Sequence, residues 1–149
     1  MRVRQADISK KPVSFRLAVA AGRIKLKPAT VKLIKAGKVE KGDAIAIAET
    51  MAVLATKKTP DLLALCHPLR VEGTEVTTRL LRDGVEVTVS VSAHEKTGVE
   101  MEALTAVSVA LLNIWDVVKP YEKDSKGGYP STSIEGIRVV KKVKRTEAA

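Results

Sequence analysis

Cysteine is almost absent from this chain: Cys66 is the only one among 149 residues. A disulfide framework within the chain is thereby excluded, and a reducing, cytoplasmic setting is the expectation. No run of 18 or more apolar residues occurs, so a membrane span is not expected. The opening MRVRQADISKK lacks the apolar stretch of a secretory signal. Aromatics reach only 3%, as Phe15, Trp115, Tyr121 and Tyr129. That scarcity argues against a sheet that stacks RNA bases on exposed rings, and no K/R-G-F/Y-G/A-F-V-x-F/Y segment is present. Asn113 and Gln5 stand alone of their kinds, a depletion of thermolabile side chains often seen in thermophilic proteins.

What the chain has in abundance is apolar residues (45%) and positive charge. Lys and Arg number 26 against 17 Asp and Glu, a net +9. The apolar content suffices for one core at this length, and residues 1–149 read as a single domain. The positive excess concentrates anions, whether nucleic acid, acidic lipid or a phosphorylated metabolite. It gathers in residues 23–41 and in the tail RVVKKVKR (138–145), where a merely solvated face is the simpler reading.

Alternating Val13, Phe15, Leu17 and Val19 predict a strand over about 13–20, reaching as far as Leu26. Pro28 opens a short helix, TVKLIKAG, that Gly37 should stop. Asp43 is placed to cap the next helix, with Ile45, Ala48, Met51, Ala52 and Ala55 on one face, ending near Lys57-Lys58. Thr59-Pro60-Asp61 should break it, leaving LLALCHPL (62–69) as an apolar connection. Strands over about 71–81 and 85–93 follow, joined by Arg82-Asp83-Gly84, whose Asp-Gly step signals a hairpin. A long helix, about 99–118, should end at Pro120, and a last strand spans about 136–143. The order is βαββαβ with an extra short helix in the first crossover. It predicts an α+β, ferredoxin-like fold: an antiparallel sheet with helices on one face. The uncovered face makes self-association a natural expectation.

Two stretches carry candidate chemistry. LCHPLR (65–70) sets Cys66 beside His67. A histidine in an apolar loop more often serves structure than catalysis, and Cys66 has no metal-ligand spacing, so it reads as a small packed hydrophobe. KTGVEMEALTA (96–106) places Glu100 and Glu102 around Met101 at a helix entrance. There the simple reading is a carboxylate pair favouring the helix dipole, and the sharper one a general acid, base or ligand. Residues two apart point about 200° from each other on a helix, so the pair would not share one surface unless the chain is still extended there. Asp116 and Lys119, three apart, do share a face, though a surface ion pair would be worth little. Lys41, before the Gly42-Asp43 cap, lies at a helix N-terminus that attracts anions. Glu102 and Asp116 are 14 residues apart on one helix, about 21 Å. If both act, the site is assembled across a subunit interface.

LCHPL and KTGVEMEALTA, in that order, together with DISK…FR (7–16), KGD (41–43), ATKKT (55–59) and IWDVVK (114–119), closely resemble the MoaC family of cyclic pyranopterin monophosphate synthases. The resemblance spans almost the whole chain. It implies a lyase of molybdenum-cofactor biosynthesis that converts 3′,8-cyclo-7,8-dihydro-GTP to cyclic pyranopterin monophosphate and releases pyrophosphate. It implies the ferredoxin-like fold and a homohexamer, a trimer of dimers with the active site at the dimer interface. By position, Lys41 and Lys119 match the acid/base lysines, made feasible near neutral pH if cationic neighbours lower a lysine pKa. His67, Glu100, Glu102 and Asp116 match further catalytic positions, and Met101 a pocket position. Arg16, Lys57 and Lys142 match basic positions suited to the triphosphate, and Cys66 is counted with the substrate-binding residues as part of LCHPL. The tail RVVKKVKRTEAA and the insertion KDSKGGYPSTSIE (123–135) depart from the Gly- and Ser-rich ending of many bacterial members, which leaves Lys141 and Lys144 as alternatives to Lys142. No protein-bound metal or other cofactor is implied beyond a divalent cation on the triphosphate, and neither nucleic acid nor membrane is an expected partner. A non-catalytic purine-nucleotide-binding module on the same fold is the alternative function.

Overall fold

The computed structural model describes residues 1–146, and the end of the tail, residues 147–149, lies outside the described residues. Its elements in chain order are β1 (Ser14–Lys25), α1 (Pro28–Lys35), α2 (Ala44–Leu62), β2 (Gly73–Leu81), β3 (Gly84–Glu95), α3 (Glu100–Glu122) and β4 (Ser133–Arg145). The strands form one sheet in the order β2-β3-β1-β4, antiparallel at every pairing. This is the expected α+β, ferredoxin-like arrangement, with α1 as the extra helix of the first crossover.

Period-two patterning decides which face the sheet buries. Val85, Val87, Val89, Val91 and Ala93 of β3 and Ala18, Ala20 and Ile24 of β1 are fully buried. They meet Ala103, Ala106, Val107, Ala110, Leu111 and Ile114 of α3, and α2 adds Ala44, Ala48, Ala52 and Ala55 to the same core. Small alanines on both helices allow α2 and α3 to pack closely. By length and composition α3 is apolar enough to cross a membrane, although polar residues interrupt its apolar runs. It instead carries the centre of the core. On the opposite sheet face, the partly buried Phe15, Leu17 and Val19 alternate with the buried positions of β1.

Both helix-breaking prolines are accommodated rather than obeyed. α2 continues through Pro60 to Leu62, and α3 through Pro120 to Glu122. A proline removes one helical hydrogen bond, and tertiary packing offsets that loss here. In α2, Thr59 is fully buried and its hydroxyl donates to Ala55 O at 2.8 Å. In α3, the fully buried Glu122 accepts from Lys27 N, Thr30 Oγ1 and Thr132 Oγ1, which pins the last turn to the start of α1 and to the 123–132 loop.

The caps follow their chemistry. Asp43 Oδ1 accepts from the N–H groups of Ile45 and Ala46, both at 3.0 Å, and Gly37 takes the left-handed φ of 67° that ends α1. The β2–β3 hairpin differs from the expected Asp-Gly turn. Gly84 pairs with Leu81 as the first residue of β3, so Arg82 and Asp83 form the turn. Glycine is needed there for space, since a Cβ would stand 2.2 Å from Ile24 O.

Candidate active site

The first group of candidate residues forms where the loop after α2 meets the first turn of α3. Leu63, Leu65, Cys66, His67, Thr97, Gly98, Glu100 and Met101 line a cleft of about 370 Å³. The sequence-predicted residues Cys66, His67, Glu100 and Met101 are thus brought together. His67 Nε2 lies 2.8 Å from Ala6 O. A carbonyl can only accept, so Nε2 carries the proton and Nδ1 is the ring nitrogen left for chemistry. The N-terminal segment also holds both walls of the cleft: Gln5 Nε2 donates to Leu65 O at 3.4 Å, and Lys96 Nζ, between β3 and α3, donates to Ser9 O at 3.1 Å.

Glu102 sits beneath the cleft, 2% exposed, with Oε1 lacking a hydrogen-bond partner. Burial, with a smaller push from the Glu100 charge, raises its pKa to about 7 against an opposing backbone hydrogen bond. Its Oε2 is 4.0 Å from Cys66 Sγ. Burial first, then the charges of Glu102 and Glu100, push the Cys66 thiol up, which keeps this residue of the cleft wall protonated. Cys66 is half-buried at the cleft rather than sequestered in packing.

Glu100 turns one carboxylate oxygen to Lys142 Nζ at 3.2 Å and buries the other without a partner. Lys142 is therefore the C-terminal lysine that reaches this group. Gly98 makes room for it: a Cβ there would stand 2.2 Å from Glu100 Oε2. Arg16 is 7% exposed and donates to Glu95 O and Lys96 O, both at 3.4 Å. It braces the segment leading into Thr97-Gly98. Lys57 is exposed on α2 and lines neither this cleft nor the second group.

The second group lies toward the other end of α3. Lys119 Nζ is 3.1 Å from Asp116 Oδ1. Lys41 Nζ is 3.7 Å from the same oxygen and donates to Asp116 O at 2.9 Å. A shallow recess of about 360 Å³ beside them is lined by Leu112, Trp115, Asp116 and Lys119, and Tyr129 meets Trp115 edge to face at 5.2 Å. The hydrogen bond from Lys119, aided by both lysine charges, holds the Asp116 carboxyl below its usual range. The same bond raises Lys119. The expected lowering of a lysine pKa by cationic neighbours is thus reversed for Lys119: its nearest neighbour is an anion.

The two groups share no lining residue, and the 14-residue separation of Glu102 and Asp116 along one unbroken helix keeps them about 21 Å apart. Thr97 and Gly98 fall within the KTGVEMEALTA stretch, whereas the Ala6 carbonyl and the Trp115–Tyr129 pairing carry no motif in the sequence. The scarcity of aromatics was the available signal for the last, since Trp115 is the sole tryptophan. Among the described residues no cluster of three or more His, Cys, Asp or Glu is arranged to hold a metal ion.

A sequence model described as "MoaC family" matches residues 5–144. A protein of Pyrococcus horikoshii is 58% identical over 142 residues, covering 95% of this chain and 89% of the relative. One of Thermococcus kodakarensis is 57% identical over 145 residues, 97% of this chain and 93% of the relative. One of Sulfurisphaera tokodaii is 54% identical over 138 residues, 93% and 91% respectively. All three bear the name "Probable cyclic pyranopterin monophosphate synthase".

Proposed function

This chain belongs to the MoaC family, and we propose from that premise that it is a lyase of molybdenum-cofactor biosynthesis. It converts 3′,8-cyclo-7,8-dihydro-GTP to cyclic pyranopterin monophosphate and releases pyrophosphate. The observation that carries this reading is the match itself, near-complete in both directions to relatives of that name.

The chemistry makes definite demands. Closing a cyclic phosphate forms a bond from a substrate hydroxyl oxygen to the α-phosphorus and breaks the bond to the departing pyrophosphate. The hydroxyl proton needs a base, the leaving group needs cations, and the ring rearrangement needs groups that both give and take protons near neutral pH. Glu102, titrating at about 7, suits the last requirement. His67, fixed through Nε2 by Ala6 O, offers Nδ1 for the same exchange. Lys41 and Lys119 supply the acid/base pair, with Lys119 entering as an ammonium because Asp116 stabilises its charge. Lys142, Lys57 and Arg16 are the basic residues assigned to the triphosphate, and a divalent cation would arrive with that group rather than on the protein.

The separation along α3 supports an assembly in which two chains share each site. Two copies related by a two-fold axis would bring the His67 cleft of one against the Lys41–Asp116–Lys119 group of the other. We assign the active unit to that dimer, within a homohexamer built as a trimer of dimers. The direct test is incubation of purified protein with 3′,8-cyclo-7,8-dihydro-GTP, following pyrophosphate and pterin fluorescence. Equimolar release of both is expected, and no product at saturating substrate would overturn the assignment.

A further inference from the structure

In an α-helix the N–H of residue i bonds the carbonyl of residue i−4, so residue 120 is the natural partner of the Asp116 carbonyl. Residue 120 is proline, which has no N–H and whose ring crowds that same carbonyl. α3 nevertheless runs on to Glu122. The acceptor so exposed is occupied from outside the helix: Lys41 Nζ donates to Asp116 O at 2.9 Å, closer than its 3.7 Å approach to Asp116 Oδ1. The loop bearing Lys41 is held to the next residue of the helix, since Glu40 N donates to Tyr121 Oη at 2.8 Å.

We propose that Pro120 is a positioning residue for Lys41: by withholding the helical donor from the Asp116 carbonyl, it creates the acceptor that fixes the Lys41 ammonium beside Asp116 and Lys119. The helix is the scaffold and the proline is the change that opens it. An ordinary residue at 120 would close the ladder and leave Lys41 only the longer, solvent-exposed contact with the carboxylate. The inference deepens the acid/base reading of Lys41 and rests on it.

The two roles of a helix proline can be separated experimentally. Pro120→Ala restores the N–H and removes a residue that helices disfavour, so the thermal midpoint should stay level or rise. Loss of one hydrogen bond to a charged group should lower kcat for pyrophosphate release about five-fold or more, with KM within about two-fold. A purely structural proline would move stability and activity together.

A second readout needs no turnover. The Lys41 amine is acetylated with trace acetic anhydride, and its rate relative to Lys38 is read by peptide mass spectrometry. Release of the tether should raise that ratio about three-fold or more in Pro120→Ala, even if the parent proved unable to release pyrophosphate. Pro120→Ser restores the same N–H and serves if the alanine variant does not fold. An unchanged Lys41 rate in the folded variant overturns the tether. A raised rate with unchanged kcat overturns the positioning role.

Discussion

Cys66 Sγ and Glu102 Oε2 lie 4.0 Å apart under the His67 cleft, and the contact puts a carboxyl that titrates near neutrality against a thiol that stays protonated. Glu102 has its pKa raised from 4.5 to about 7, first by burial. Above pH 7 the folded and unfolded forms both carry the charge, and the burial cost is present in full. Below pH 4.5 both are protonated and it vanishes, so this group favours folding increasingly as pH falls from 7 to 4.5. Glu102→Gln should therefore stabilise the fold by about 1–3 kcal/mol at pH 8 and by much less at pH 4.5. Urea unfolding at the two pH values, at one protein concentration, checks this. An equal effect at both would show that burial does not perturb the group.

Asp116 governs the state of Lys119. The carboxylate raises the lysine through a 3.1 Å hydrogen bond, so the free enzyme holds an ammonium there across the neutral range. If that ammonium is required, kcat/KM falls at high pH as Lys119 loses its proton. Asp116→Asn removes the cause of the raised value, and the basic limb of the kcat/KM profile should move to lower pH. A limb that does not move would detach Lys119 from the acid role.

Gly98 is predicted to matter for catalysis more than for folding. Its backbone is not in the left-handed region, so alanine is conformationally acceptable, but the new Cβ would collide with Glu100 Oε2, 2.2 Å away. The carboxylate end can swing aside, at the expense of the Lys142 contact and of its place in the cleft. Gly98→Ala should keep the unfolding midpoint near the parent's while lowering kcat/KM by about ten-fold or more. Activity within two-fold of the parent would show that the Glu100 position is not critical.

Glu122 makes the opposite prediction. It is fully buried and joins α3 to Lys27, Thr30 and Thr132. Glu122→Ala leaves those donors unsatisfied and should cost about 3 kcal/mol or more of stability, measured by denaturant unfolding. A loss below about 1 kcal/mol would mean that water readily takes its place.

Much of this architecture was legible in the sequence because it rests on local rules. Strict alternation in Val85–Val91 gave β3 its buried face, and Asp43 and Gly37 capped and stopped their helices as their chemistry requires. What could not be read locally was the continuation of α3 past Pro120, where Lys27 and Thr30, more than 90 residues away, hold the buried Glu122; at Pro60 the buried Thr59 bonds Ala55 within the helix itself. The Gly84 requirement is likewise non-local, set by Ile24 on a neighbouring strand. In the site, residue types and order were readable from the motifs. The Ala6 acceptor for His67, the burial of Glu102 and the inward turn of Arg16 depend on how separate elements meet.

Subunit mixing tests whether one active site draws its two halves from two chains. Glu100→Ala disables the His67 cleft and Lys119→Ala disables the other group, and each homo-oligomer should retain below about 1% of parental turnover. When the two variants are co-expressed and isolated as mixed oligomers, random pairing leaves half of the dimers mixed. In each mixed dimer one site carries both lesions and the other carries none. Recovery to about a quarter of the parental pyrophosphate release is expected. Mixed oligomers no more active than either variant alone would contradict it, and would place each complete site within a single chain.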